Sequence, residues 1–168
     1  MSQVGSEAGV TPRLTEVPLP AWVRDGTGLD RIDYCDSYLV DDIPSVRQTS
    51  AEQWAREVLE RAPTALRRRL SRGWFVLGLR HGSVRSPQHV LGWPIRQNTT
   101  ERIVLGAHSR VGMPAELVFA REGDAWLFAT LIQHDNRIVS AVWRTIAEPH
   151  RRVVRYLLRS AATRVAHA

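Results

Sequence analysis

The chain has no lysine. All 23 basic residues among its 168 are arginine, a bias that reads as the codon usage of a GC-rich genome, so arginine enrichment alone is weak evidence of a binding surface. Its one cysteine, Cys35, cannot form an internal disulfide. The longest uncharged apolar stretches, residues 125–133 and 73–79, fall short of the ~18 residues a membrane helix needs. The N-terminal residues lack the charged-then-apolar run of a signal peptide, and a cytoplasmic protein without a transmembrane segment is expected. G-x-G-x-x-G, the P-loop and G-x-S-x-G are all absent, and Gly73, Gly78 and Gly82 are too scattered to cradle phosphate. The six histidines show neither H-x-x-x-H spacing nor pairing with cysteine, so no metal and no cofactor is expected.

What is present is enough apolar material for a core: 43% hydrophobic residues and six tryptophans in a length that suits one domain. Residues 1–16 are small, polar and aperiodic and read as a flexible N-terminal segment, leaving 17–168 as a single domain. Residues 31–41 alternate aromatic and polar side chains and predict a strand. Thr49 with Glu52, and Ser50 with Gln53, form overlapping capping boxes that open a helix carrying Trp54, Val58 and Leu59, and Pro63 stops it. A second helix from Thr64 carries Leu66, Leu70 and Trp74 on one face and Arg67, Arg68, Arg69 and Arg72 on others. From Val90 the pattern alternates through five runs, 90–98, 101–110, 115–122, 125–134 and 137–146, joined by short turns. Glu148-Pro149 then opens a last helix with Val153, Val154, Leu157, Leu158, Ala161 and Val165 as its apolar stripe.

If each turn holds two residues, one sheet face carries Trp93, His108, Arg110, Phe119, Phe128, Thr130 and Trp143, with Phe119 opposite Phe128 and Leu117 opposite His108. The other carries Ile103, Leu105, Val118, Leu127 and Leu131, a surface on which a homodimer would form. A loop of odd length would turn over every residue beyond it.

The order strand, two helices, antiparallel meander and long C-terminal helix resembles the helix-grip fold of the START-like (SRPBCC) superfamily, which includes birch-pollen-allergen proteins and bacterial polyketide cyclases and dehydratases. Within it the chain is most similar to an uncharacterised bacterial family, through Asp33-Tyr34-Cys35-Asp36, Ser50-Ala51-Glu52-Gln53-Trp54-Ala55, Val142-Trp143-Arg144, His150-Arg151-Arg152 and Leu157-Leu158-Arg159. The resemblance covers roughly residues 22–165. It implies an α+β fold, an antiparallel sheet on a long C-terminal helix with an elongated cavity between them. It departs from this chain in strand number, about six here against the usual seven.

On that reading the cavity takes a hydrophobic small molecule or lipid. Trp93, Phe119, Phe128, Thr130 and Trp143 line it, and His108 and Arg110 form a polar end for a carboxylate or phosphate head group. A cyclase- or dehydratase-like enzyme is the alternative, with His108 or Asp36 as base and Tyr34 or Tyr38 beside Asp36. The second alternative is arginine-mediated binding to nucleic acid or another acidic partner through Arg152, Arg155 and Arg159 or Arg67 to Arg72. Nucleic acid is the disfavoured partner, since a solvated helix face has the same composition and no aromatics interleave with the arginines.

Overall fold

The computed structural model describes residues 11–43 and 46–167. Strand β1 (Arg13–Glu16) leads into a short helix α1 (Ala21–Asp25) and strand β2 (Tyr34–Asp41). Helices α2 (Ala51–Leu59) and α3 (Thr64–Val76) follow, then strands β3 (His89–Val90), β4 (Trp93–Asn98), β5 (Arg102–Ala107), β6 (Ala115–Glu122) and β7 (Ala125–Ile132), and finally α4 (Arg137–Ala166). The strands form one sheet in the order β1-β2-β7-β6-β5-β4-β3, with every neighbouring pair antiparallel. This α+β arrangement, a sheet wrapped on a long C-terminal helix with two helices after the strand β2, is the helix-grip architecture. Among the described residues no helix is long and apolar enough to cross a membrane.

Local chemistry explains most of the elements. Ser50 caps α2 reciprocally: its hydroxyl accepts from the Gln53 amide at 3.2 Å and the Gln53 side chain accepts from the Ser50 amide at 2.8 Å. The α2 apolar face is fully buried, and Trp54 stacks on Trp126 of β7 with ring centroids 5.9 Å apart. Leu91 and Gly92 join β3 to β4 with φ of 46° and 85°, the positive values a two-residue hairpin requires.

Three expectations are corrected. Residues 13–16, assigned to a flexible segment, form an edge strand paired to β2 from Arg13↔Asp41 to Glu16↔Tyr38; residues 1–10 lie outside the described residues. The run 137–146 is not a strand but the first part of α4. Asn136 caps that helix by accepting from the Val139 amide at 2.9 Å, and its side-chain amide donates to the Val111 carbonyl at 2.9 Å. The run is rich in β-branched residues, yet its buried members, Val139 and Trp143, are spaced by four, and Ile138, next to Val139, is 77% exposed. Pro149 consequently sits inside the helix rather than at its start, where it leaves the Thr145 carbonyl without its helical donor. With β1 and β3 added and that run removed, the strands number seven rather than six.

The third correction concerns register. Phe119 does lie opposite Phe128, but Leu117 pairs with Leu105, not with His108. Strand β5 ends at Ala107, and the odd-length loop 108–114 turns β5 over relative to a two-residue hairpin. Ile103 and Leu105 therefore face the helices, and Val104 faces away. The second face is not open to a partner either. Val118, Leu127 and Leu131 are buried beneath the segment 17–32, which packs Val17, Leu19, Trp22, Val23, Leu29 and Ile32 against them. The surface on which a homodimer was expected is thus covered by the chain itself. Two buried side chains fasten that cover. Glu116 accepts from the Thr27 hydroxyl at 2.6 Å and the Gly28 amide at 3.0 Å, and Gln133 accepts from the Asp30 amide at 2.9 Å.

Candidate functional site

The inner face is covered unevenly. Helix α2 seals one part, whereas α3 has no fully buried residue and rests on the core through half-buried Leu66, Leu70, Trp74 and Leu77. Between α3, α4 and the sheet lies a cavity of about 400 Å³. Its walls are mainly apolar: Leu66, Leu70 and Trp74 from α3, Leu117 and Phe128 from the sheet, and Trp143, Val154 and Leu157 from α4. The charged side chains on the wall, Arg69 and Arg152, are both exposed and mark its mouth. The polar groups among the inner lining are Thr130 and His150.

His150 belongs to a hydrogen-bonded chain that starts at the centre of the sheet. Asp36 on β2 lies beside Thr130 on β7 in register, and at 5% exposure it is a buried carboxylate. Its Oδ2 accepts from the Tyr34 hydroxyl at 2.6 Å and lies 3.2 Å from His150 Nε2. The same nitrogen is 3.2 Å from Thr130 Oγ1, and Arg151 Nε donates to the Tyr34 oxygen at 3.2 Å. Trp143 packs against both rings, 4.9 Å from Tyr34 and 5.2 Å from His150 between centroids. Asp36 Oδ1 is buried without a partner among the described residues.

This environment decides the charge of each group. Burial pushes the Asp36 carboxyl upward, but the hydrogen bond and charge of His150, with the hydrogen bonds of Tyr34 and Thr130, outweigh it and hold Asp36 below the usual carboxylate range. Asp36 is therefore an anion at neutral pH. Burial and the neighbouring Asp36 raise the Tyr34 phenol well above its ordinary value, so it stays protonated and can donate. Tyr38 is raised to about 12 by burial, then by Asp36 and Glu16; its hydroxyl bonds no group among the described residues, so it is not the partner of Asp36.

Of the residues expected to bind ligand, Trp93, Phe128, Thr130 and Trp143 line the cavity. Trp143 does so from α4, not from a strand. Phe119 lies on the same face but is wholly buried behind Phe128, edge-on at 5.0 Å. His108 and Arg110 are exposed in the loop after β5 and are absent from the cavity, because the register of β5 is opposite to the one two-residue turns imply. The head-group role expected of Arg110 falls to no residue on the sheet; Arg69 and Arg152 are the cations present.

In the sequence, His150 stands only among the residues that carry the resemblance, not among the expected site residues. With α4 beginning at Arg137, Val139, Trp143, His150, Val154 and Leu157 fall on one helical stripe, a spacing of three, four and seven that was available in the sequence.

No family model and no curated protein matches the chain. Among solved structures it is similar to CalU16 from Micromonospora echinospora, at 11% identity over 95% of this chain and 99% of that one, with a TM-score of 0.30; no part of the functional reading rests on a likeness of that size.

Proposed function

We propose that the chain is a START-like protein that binds a hydrophobic or amphipathic small molecule between the sheet and helices α3 and α4. The observation that carries this reading is the cavity itself. Its volume of about 400 Å³ falls within the ~300–1,000 Å³ of small-molecule sites, and it has apolar walls with two inward polar groups. A space of this size takes a ring system of two or three fused rings or a short isoprenoid, with Arg69 at the mouth to meet an anionic head group.

Arginine-mediated nucleic-acid binding has less support. In the α4 row, Arg152 and Arg155 both face Glu148, at 3.2 and 3.5 Å, and pairs such as Arg121–Glu101 and Arg164–Glu57 neutralise further arginines.

Native mass spectrometry and thermal-shift measurements on the purified chain, against a panel of lipids, isoprenoids and polycyclic aromatic compounds, test the proposal. A 1:1 adduct and a raised melting temperature with at least one amphipathic class are expected. A panel that yields neither overturns it.

A further inference from the structure

A buried anion at the centre of a sheet is costly, and an apolar side chain at that position avoids the cost. What Asp36 does for its cost is hold His150. A carboxylate only accepts hydrogen bonds, so its 3.2 Å contact with Nε2 places the ring proton on that nitrogen. Nδ1 of the neutral ring then carries the lone pair, and no protein group among the described residues bonds it. The imidazole is further fixed by Trp143 and by Tyr34, whose ring meets it edge-on at 6.1 Å. A histidine on a cavity wall, oriented through one nitrogen by a buried carboxylate and unengaged at the other, has the arrangement of a general base.

We propose that His150 is such a base, removing a proton from a carbon next to a carbonyl group in the bound ligand, with Asp36 as its positioning residue. This rests on the ligand-binding reading above and names the chemistry of the same site. Proton transfer is favoured over acyl transfer by the geometry. Thr130 Oγ1 and Asp36 Oδ2 both contact Nε2, so Thr130 cannot yield its proton to one ring nitrogen while Asp36 steadies the other, and no serine or cysteine of the described residues lines the cavity. In the step, Nδ1 takes the proton, the electron pair of the C–H bond moves into the adjacent carbonyl and an enolate forms. The imidazolium, balanced by Asp36, is its countercharge. Return of the proton to carbon completes the cycle without any co-reactant.

The test uses 2-tetralone, a bicyclic ketone, in D2O above the ordinary imidazole range, with exchange of its α-protons followed by NMR. Binding is read separately from the fluorescence of Trp74, Trp93 and Trp143, which line the cavity. Saturable exchange is expected for the wild-type chain, with kcat lowered about 10²–10⁴-fold in His150→Gln. Asp36→Asn is expected to lower kcat by about tenfold or more at a KM within about twofold, because it acts through His150 and not on the ligand. His108→Gln, in the exposed loop, leaves exchange unchanged. The 15N spectrum of the unsubstituted chain should show His150 protonated on Nε2, a readout that requires no variant to fold, and the signal should shift in Asp36→Asn. Binding without protein-dependent exchange, exchange that survives His150→Gln, or a wild-type His150 protonated on Nδ1 overturns the base. A 15N signal and kcat unmoved by Asp36→Asn overturn its positioning role. Absence of saturable binding instead overturns the cavity reading and the proposal with it.

Discussion

The two faces of this sheet share the same strands and differ in how they are covered. On the outer face, segment 17–32 packs against Val104, Val118, Leu127 and Leu131, and the buried polar side chains there are satisfied: Ser37 donates to the Val17 carbonyl at 3.0 Å, and Glu116 and Gln133 take up loop amides. On the inner face, a cavity remains under α3, and Asp36 Oδ1, Tyr38 Oη and the indole nitrogens of Trp93 and Trp143 are buried with no partner among the described residues. Satisfied polar groups in dense packing mark a face that serves stability. On the function proposed above, the unfilled space of the inner face is where a ligand sits.

The largest test of this contrast is truncation on the outer face. Leu131→Ala, at a fully buried position, is expected to cost about 2–5 kcal/mol in urea unfolding. A loss below about 1 kcal/mol, the level of a surface change, would mean that segment 17–32 is not a packed cover.

Smaller, and confined to acid, is the contribution of Asp36. Its folded pKa lies below the unfolded value of about 3.9, so its stabilisation is fully present above that value and is lost as pH falls through the folded one. Wild type should lose stability on acidification through this range, and Asp36→Asn should lack that part of the loss. Superimposable acid limbs would show that Asp36 is not held as an anion.

The smallest expected effect is on α3. Leu70→Ala removes a half-buried side chain that borders existing space, and about 1 kcal/mol or less is expected from the same urea titration. A loss equal to that of Leu131→Ala would erase the distinction between the faces.

How much of this was legible depended on whether the signal was local. The Ser50–Gln53 capping box, the helical stripe of Leu66, Leu70 and Trp74, and the alternation in β2, β6 and β7 are written in neighbouring residues, and the corresponding elements formed as expected. The run 137–146 satisfies strand alternation and helical spacing at once. Its fate is decided by the fit of Val139 and Trp143 against the core and by the Asn136 bond to the Val111 carbonyl, which are tertiary facts, whereas the Asn136 cap on Val139 is a local signal that strand alternation overrode. That error and a second, independent one moved the expected site residues. A helix placed at Pro149 hides the stripe that joins Trp143 to His150, while a turn assumed at Gly112-Met113 puts His108 and Arg110 inside. Asp36, Thr130 and Phe128 sit on β2 and β7, whose alternation fixes their faces, whereas Trp93 keeps its expected face only because the β-bulge between Ile95 and Gln97 undoes the reversal of β5. The role of segment 17–32 had no periodic signal at all, since it reaches the sheet as extended chain and loop.

The central claim, that the space under α3 and α4 is a ligand site, is tested most directly by fluorescence titration of wild type and Leu70→Trp with anilinonaphthalenesulfonate, an amphipathic anion. The expected result is saturable 1:1 binding by wild type and at least tenfold weaker binding by Leu70→Trp, whose indole fills the cavity from a helix with no fully buried residue to disturb. Equal affinity in the two proteins would contradict the account.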